Sequence, residues 1–271
     1  MAQKVKKAVI PAAGMGKRLY PLTRAQPKEM LPIVDKPVIH YVVEEAVSAG
    51  IEDILIITGY RKDAIIHYFD HNPLDDEFKG YGIEDFPNIY FVRQKKPLGL
   101  GDALRYARGF VGDEPFLVLL GDTIYESKSE KSAARQLVEK FEKIQKPLIM
   151  VEEVEKGKVK DYGIIGVEKE TGKYYKINKV VEKPKPEEAP SNLGISGLYI
   201  LTPDIFEYLQ RIKPGKNNEY QLSDALDLLA MEKELYGTKI DAIRYDVGTK
   251  ETWINTFIKF AKNDKRFKLD I

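Results

Sequence analysis

Short apolar runs alternate with segments of helical period through the first half of the chain. The runs predict buried strands over residues 8–10, 53–58, 88–93 and 116–120. Val38, Val42 and Ala46 recur at helical spacing, and helices are predicted over 35–50, 61–70, 101–111 and 132–144, with a loop over 71–87. Strands that alternate with helices form a mostly parallel sheet covered on both faces, so the predicted fold class is α/β and Rossmann-like.

The pattern changes after Pro147 to closely spaced strands. These are predicted over 148–154, 162–167, 174–181 and 193–201, with little helix between them. Helices return over 203–212, 222–232 and 250–262, with a strand over 240–245. The second half therefore predicts an antiparallel or mixed extension of the sheet. We expect one domain over 1–271, with parts at 1–146, 147–248 and 249–271, because no repeat or long linker divides the chain.

A loop of small residues directly follows the first predicted strand. It contains Ala12, Ala13, Gly14 and Gly16, and it is followed by the cations Lys17, Arg18 and Lys28. Backbone N–H groups of a glycine-rich turn approach phosphate oxygens closely because no Cβ stands in the way. The cations would supply the countercharge of a triphosphate.

Two common nucleotide motifs do not fit this loop. A dinucleotide fingerprint needs a glycine where Leu19 stands, which disfavours a nicotinamide oxidoreductase. A P-loop needs Ser or Thr after its lysine, and Arg18 follows Lys17 here. The pair Gly14 and Gly16 alone is equally compatible with an ordinary turn.

The full string over 8–32, AVIPAAGMGKRLYPLTRAQPKEMLP, resembles the signature of the sugar-1-phosphate nucleotidylyltransferases. Its ending resembles the bacterial branch of that family that joins UTP to glucose 1-phosphate. The resemblance extends from Lys6 to the neighbourhood of Ile258. It implies the mixed sheet of the nucleotide-diphospho-sugar transferases, with a nucleotide-binding part over 1–146 and a sugar-phosphate-binding part over 147–248. It also implies that the following residues bind UTP: Ala12, Ala13, Gly14, Gly16, Lys17, Arg18, Lys28 and Glu29.

The segment QKKPLGLGDA begins at the end of the third predicted strand. Gln94 has both a donor and an acceptor for the edge of a nucleobase, and Gly99 lets the backbone lie against the base plane. The segment is by itself an ordinary glycine-containing loop. The family resemblance implies that Gln94 and Gly99 contact the base, although many relatives carry lysine where Leu98 stands.

Asp122 directly follows an unbroken apolar strand, which places its carboxylate at the strand end. Mg²⁺ binds one or two carboxylates together with phosphates and waters. A turn aspartate is the alternative, but the resemblance implies that Asp122 is a metal ligand and that Asp246, in a Tyr-Asp-Val-Gly-Thr segment, is a second. Thr249 is also expected to cap the final helix.

The segment VVEKP carries a possible sugar-phosphate site. Glu182 accepts hydrogen bonds from vicinal hydroxyls and Lys183 neutralises a phosphate, provided that the strand ends or bulges there, as Pro184 indicates. A charged surface strand is the alternative. The resemblance implies that Gly163, Glu182, Lys183 and Asn192 bind the sugar phosphate and that Lys183 joins Arg18, Lys28 and Asp122 in catalysis.

These observations predict uridylyl transfer from UTP to α-D-glucose 1-phosphate with Mg²⁺ as cofactor, and the absence of cysteine removes thiol nucleophiles. Thymidylyl transfer from dTTP is an alternative, because Gly121-Asp122 resembles that branch. A non-catalytic sugar-nucleotide sensor on the same fold is a more distant one.

Composition limits the partners. The net charge of +1 favours neither nucleic acid nor membrane, and no run reaches the roughly 18 apolar residues of a membrane span. We expect a cytoplasmic protein that forms a homodimer or homotetramer.

Overall fold

The structure is a computed structural model, which describes residues 2–72, 74, 86–215 and 218–268. The elements of the first half are β1 Lys7–Pro11, β2 Pro32–Ile33, β3 Lys36–Pro37, α1 Val38–Ser48, β4 Asp53–Thr58, α2 Asp63–Phe69, β5 Asn88–Arg93, α3 Leu100–Arg105, α4 Arg108–Val111, β6 Phe116–Leu119, β7 Thr123–Ser127 and α5 Ala133–Ile144. Those of the second half are β8 Leu148–Glu153, β9 Gly163–Thr171, β10 Tyr174–Glu182, β11 Leu193–Leu201, α6 Ile205–Arg211, α7 Leu222–Glu232, β12 Tyr236–Thr238, β13 Ala242–Asp246 and α8 Lys250–Asn263.

Nine strands form one mixed sheet in the order β5-β4-β1-β6-β11-β8-β12-β10-β9. The four strands predicted from the first half are mutually parallel. β11 then pairs antiparallel with both β6 and β8, so the strands of the second half continue the same sheet. The predicted α/β class with a mixed extension is confirmed.

The central strands of the sheet carry apolar residues on both faces, and both faces are covered. In β1, Ala8 and Ile10 belong to one core cluster, and Val9, which points to the opposite face, belongs to the other. The first core also contains residues of α1 and α5, and the second contains residues of α3, α6 and α7. Because these strands are buried on both faces, their sequences are continuous apolar runs and do not alternate between apolar and polar residues.

Several elements differ from the prediction. The helix predicted over 101–111 is divided into α3 and α4. β7 and β13 form a separate two-stranded antiparallel sheet, and β7, β12, β2 and β3 were not predicted. Most of the predicted loop over 71–87 lies outside the described residues.

The C-terminal helix begins at the expected cap. The Thr249 hydroxyl accepts a hydrogen bond from the Thr252 backbone N–H, which completes a capping box. Trp253 on α8 donates its indole N–H to the carbonyl of Pro32 at 3.0 Å, so the helix packs beside the end of the signature string. In the part of the chain that the structure describes, no helix is long and apolar enough to cross a membrane.

Candidate active site

The glycine-rich loop and Asp122 lie at the same edge of the sheet. The loop follows β1, Asp122 follows β6 after a short turn, and β1 and β6 are parallel neighbours. The Gly121 N–H donates to the carbonyl of Pro11 at 3.4 Å, and a Cβ at Gly121 would lie 3.1 Å from that oxygen. This proximity follows from the topology, because the carboxyl ends of neighbouring parallel strands meet at one edge of the sheet.

The loop is held by close backbone packing. Gly16 has a φ of 64°, and a Cβ there would lie 2.8 Å from the methyl carbon of Thr23, whose hydroxyl donates to the Gly16 carbonyl at 2.9 Å. A Cβ at Gly59 would lie 2.9 Å from the carbonyl oxygen of Ala13. Gly59 therefore supports the loop from β4, a role that the sequence did not indicate. Ala12 and Ala13 are buried, whereas Gly14, Lys17 and Arg18 are exposed.

Four of the predicted residues converge at this edge. The Lys28 ammonium forms an ion pair with Asp122. The backbone N–H of Val247, next to Asp246, donates to the Asp122 carbonyl at 3.1 Å. Arg18 lies against the turn after Asp246, since a Cβ at Gly248 would be 2.6 Å from its guanidinium. Arg18, Lys28, Asp122 and Asp246 thus share one site.

The electrostatics keep the central pair charged. Burial opposes ionisation of Asp122, but the Lys28 ammonium outweighs it and lowers the pKa of Asp122 below its ordinary value. Burial by itself would lower the pKa of Lys28. The nearby carboxylates of Asp122 and Glu29 outweigh this effect, so the pKa of Lys28 is raised above its ordinary value. The site therefore contains a fixed carboxylate and a fixed ammonium where phosphates are expected.

Asp122 and Asp246 offer the carboxylate oxygens that a hard divalent cation prefers as ligands. Asp246 is oriented by the Gly248 N–H, which donates to its Oδ1 at 2.7 Å. The described residues contain no cluster of three or more potential metal ligands, so the protein would supply two carboxylates and the substrate phosphates the remaining oxygens.

Gln94 lies at the end of β5 and is buried, with 4% of its surface exposed. Its side-chain amide nitrogen donates to the Asp102 carboxylate at 2.7 Å and to the Gly99 carbonyl at 3.2 Å. Gly99 has a φ of 101°, and a Cβ there would lie 2.7 Å from the Tyr220 carbonyl oxygen. Among the residues that the structure describes, no hydrogen bond is made to the Gln94 amide oxygen, so this oxygen is available to a ligand. Asp102 and Tyr220 were not predicted from the sequence.

Glu182, Lys183 and Gly163 are brought together. Glu182 pairs with Gly163 across β10 and β9, and Lys183 has a φ of 47°, which ends the strand. Adjacent residues of a regular strand point to opposite faces, but the strand ends at Lys183. The Lys183 ammonium therefore lies on the same side as Glu182, 3.0 Å from its Oε1, as expected from the sequence. The Ser223 hydroxyl, at the start of α7, donates to Glu182 Oε2 at 2.9 Å and was missed by the sequence analysis.

The two remaining predicted residues, Asn192 and Glu29, are placed differently. The side chain of Asn192 is exposed and lines a cleft of about 600 Å³ with Val154 and Lys156. Glu29 points inward and pairs with Lys62, with Lys62 Nζ 2.5 Å from Glu29 Oε2. The full burial of Glu29 favours a supporting role beneath the loop over direct contact with the nucleotide.

Comparison with known proteins identifies the class. The family model described as Nucleotidyl transferase matches residues 7–263, and the chain belongs to this family. The resemblance found in the signature string is thereby confirmed, and the protein is a nucleotidyltransferase.

The similar proteins are more specific. The UTP–glucose-1-phosphate uridylyltransferase 2 of Staphylococcus saprophyticus is 47% identical over 97% of this chain and 94% of its own length. The uridylyltransferase of the same name from Staphylococcus haemolyticus is 47% identical over 98% of this chain and 96% of its own. A crystal structure of UDP-glucose pyrophosphorylase with UDP-glucose superposes with a TM-score of 0.91 and 42% identity, covering 96% of this chain and 100% of that one. These similarities support uridylyl transfer over the thymidylyl alternative.

Proposed function

We propose that the protein transfers a uridylyl group from UTP to α-D-glucose 1-phosphate, which gives UDP-glucose and pyrophosphate. The observation that carries this proposal is the Lys28–Asp122 ion pair, which lies with Arg18 and Asp246 at the end of the glycine-rich loop. A base site at Gln94 and a sugar-phosphate site at Lys183 accompany it.

The reaction is a direct in-line displacement. A phosphate oxygen of glucose 1-phosphate attacks the α-phosphorus of UTP, the bond to the bridging oxygen breaks, and its electron pair leaves with pyrophosphate. Among the described residues of this site, no serine has a neighbouring histidine that could activate it as a nucleophile, so a covalent intermediate is not expected. Catalysis therefore consists of positioning and charge stabilisation. Arg18 and Lys28 stabilise charge on the departing pyrophosphate, and Lys183 holds the attacking phosphate.

Asp122 and Asp246 would hold Mg²⁺, which supplies charge neutralisation at the phosphate oxygens when bound. Their oxygen-only donor set suits a hard cation. The ion pair with Asp122 holds the Lys28 ammonium within the site before the substrate arrives. The loop around Gly14 and Gly16 leaves backbone N–H groups accessible to the phosphates of UTP.

Base recognition rests on the remaining hydrogen-bonding capacity of Gln94. Because its amide nitrogen is engaged by Asp102 and Gly99, its amide oxygen is directed to accept the N3–H of a pyrimidine. Cytosine has no N3–H, so the arrangement favours uracil or thymine. The glycine at position 121, which resembled the thymidylyl branch, is explained by packing and not by the base. A side chain there would press against the Pro11 carbonyl.

The test is pyrophosphate release with UTP, dTTP, CTP, ATP and GTP in turn, at fixed Mg²⁺ and glucose 1-phosphate. We expect the highest kcat/KM with UTP and a lower but measurable value with dTTP, because one methyl-sized group changes discrimination by only about 10–200-fold. A higher value with dTTP would reassign the enzyme to thymidylyl transfer. Absence of release with every nucleotide would favour the sensor.

We infer a cytoplasmic protein, which suits a reaction on soluble sugar phosphates, and we infer that it forms a homodimer or homotetramer. Light scattering at working concentration measures the assembly directly.

A further inference from the structure

Arg244 lies on β13, two residues before Asp246, and was not identified in the sequence. Residues two apart on a strand share one face, so the side chains of Arg244 and Asp246 are neighbours. Arg244 Nη1 lies 3.9 Å from Asp246 Oδ2. Only 13% of the Arg244 side chain is exposed, so this guanidinium belongs to the interior of the site.

The same guanidinium makes two shorter contacts on its other edge. Arg244 Nε donates to Glu152 Oε1 at 2.7 Å, and Nη2 donates to the Tyr162 hydroxyl at 2.7 Å. The guanidinium also lies over the Tyr162 ring, 5.0 Å from its centroid. A planar fork with fixed donor directions meets all these partners at once, which a lysine ammonium cannot do.

Tyr162 connects this cluster to the sugar-phosphate lysine. Its backbone carbonyl accepts the Lys183 N–H at 2.9 Å. Its ring is seated on the backbone of Gly194, where a Cβ would lie 3.1 Å from a ring carbon. Tyr162 is therefore fixed by Gly194 beneath it and by Arg244 at its hydroxyl, and its main chain fixes the point at which Lys183 leaves the strand.

We propose that Arg244 is a positioning residue that sets the distance between Lys183 and Asp246 through Tyr162. This inference rests on the proposed function and names the residue that aligns the attacking sugar phosphate with the transferring group. A contiguous path supports it, from Asp246 through Arg244 and Tyr162 to Lys183. The contacts toward the sugar-phosphate lysine are short hydrogen bonds of 2.7 and 2.9 Å, whereas the contact with Asp246 is a longer one of 3.9 Å. The nucleotide contacts at Gln94 lie outside this path. Loss of the Arg244 fork should therefore affect the sugar phosphate more than the nucleotide.

The test compares Arg244→Lys and Tyr162→Phe with the wild type. Arg244→Lys keeps the charge but loses the fork, and Tyr162→Phe keeps the ring but loses its hydroxyl. We expect Arg244→Lys to raise the KM for glucose 1-phosphate about tenfold, consistent with loss of a charge-assisted hydrogen bond, while the KM for UTP changes less than about twofold. Tyr162→Phe should also raise the KM for glucose 1-phosphate, but by a smaller factor.

A binding measurement provides a readout other than turnover. Calorimetric titration of UDP-glucose in EDTA should show affinity weakened about tenfold in Arg244→Lys, since the sugar-phosphate side is misplaced even without metal. Arg211→Lys is the matched control. Arg211 forms a two-point ion pair with Glu232 between α6 and α7, with 48% and 47% of the side chains exposed, and its replacement should leave all constants unchanged.

The outcomes separate this inference from the proposed function. A wild-type enzyme that releases no pyrophosphate from UTP overturns the function itself. An active wild type whose Arg244→Lys and Tyr162→Phe variants retain both KM values and UDP-glucose affinity overturns the positioning role. Equal increases in the KM values of both substrates would also overturn the positioning role, because a merely structural contribution of Arg244 would affect both substrates alike. If Arg244→Lys fails to fold, Tyr162→Phe alone decides.

Discussion

Lys62 and Glu29 form an ion pair that is almost wholly buried, with 4% and 1% of their side chains exposed. Lys62 immediately precedes α2, and Glu29 follows Lys28 in the turn beneath the glycine-rich loop. Burial raises the pKa of Glu29 and lowers that of Lys62, and each partner opposes the shift of the other. The pair therefore fastens the Lys28 turn to α2 and depends on both members being present.

Lys62→Met should destabilise the protein by about 3–5 kcal/mol, because it leaves the Glu29 carboxylate buried without its counterion. Adding Glu29→Gln should recover part of that loss, since a neutral amide costs less to bury than an unpaired charge. Urea unfolding of the two single variants and the double variant measures this coupling. Strict additivity would contradict the pair as a unit. Lys239→Met, at an exposed ion pair with Glu153, is the control and should cost less than about 1 kcal/mol.

The local pattern of the sequence was sufficient for most of the fold. β4, β5, β11 and α7 have the predicted bounds, because their apolar residues are buried as the pattern requires. β7, with the sequence TIYES, was missed because it is short and half polar, and its partner β13 lies far along the chain.

The candidate site was only partly predictable, for a related reason. Motif residues such as Asp122 are recognisable where they stand, whereas supporting residues are defined by distant partners. Lys62 meets Glu29 across 33 positions, and Arg244 meets Glu152 across 92. No spacing rule connects such pairs before the fold is known. The burial of Glu29 could likewise not be inferred from its place in the signature string.

Asp122→Asn should abolish most turnover while the fold is kept. Metal and charge stabilisation of a phosphoryl transition state is worth several kcal/mol, so kcat should fall at least ~100-fold. Steady-state pyrophosphate release measures the effect, and circular dichroism checks the fold. A variant that keeps more than about a tenth of the wild-type rate, a loss below ~1.4 kcal/mol, would contradict a primary role for this carboxylate.

The same variant should also differ from the wild type in acid. The pKa of Asp122 is lower in the folded protein than its ordinary value of 3.8, so its ionised form stabilises the fold above that value. This contribution is lost as the pH falls through the lowered pKa. The stability difference between wild type and Asp122→Asn should therefore be largest near neutral pH and should shrink below 3.8. Urea titrations at pH 7 and near pH 3 test this, and a constant difference would show that the Lys28 pair contributes nothing.

Gly99→Ala should damage the base site. The φ of 101° strains any residue with a Cβ, and that Cβ would lie 2.7 Å from the Tyr220 carbonyl oxygen. We expect a loss of stability of about 1–3 kcal/mol and a raised KM for UTP, because the Gln94 contact to the Gly99 carbonyl is displaced. Gly109→Ala is the matched control. Gly109 lies in α4 with nothing within 4 Å of its Cβ position, so alanine should be neutral or slightly stabilising there. Equal effects at the two glycines would show that packing at Gly99 is unimportant.

Lys183→Ala should weaken glucose 1-phosphate far more than UTP. Lys183 is the cation at the end of β10, whereas Arg18 and Lys28 lie beside Asp122 and Asp246, where the triphosphate is expected. A lysine–phosphate contact is charge-assisted and worth roughly 1.5–3 kcal/mol, which corresponds to about a 10–150-fold rise in the KM for the sugar phosphate.

The structure adds a matched control for this prediction. Lys183 Nζ lies 3.0 Å from Glu182 Oε1, so the alanine variant also leaves Glu182 without that neighbour. Lys183→Arg retains a cation at this position and should recover part of the sugar-phosphate affinity. Initial rates measured against each substrate in turn decide the matter. Equal increases in both KM values would show that the sugar phosphate and the nucleotide do not divide these cations between them.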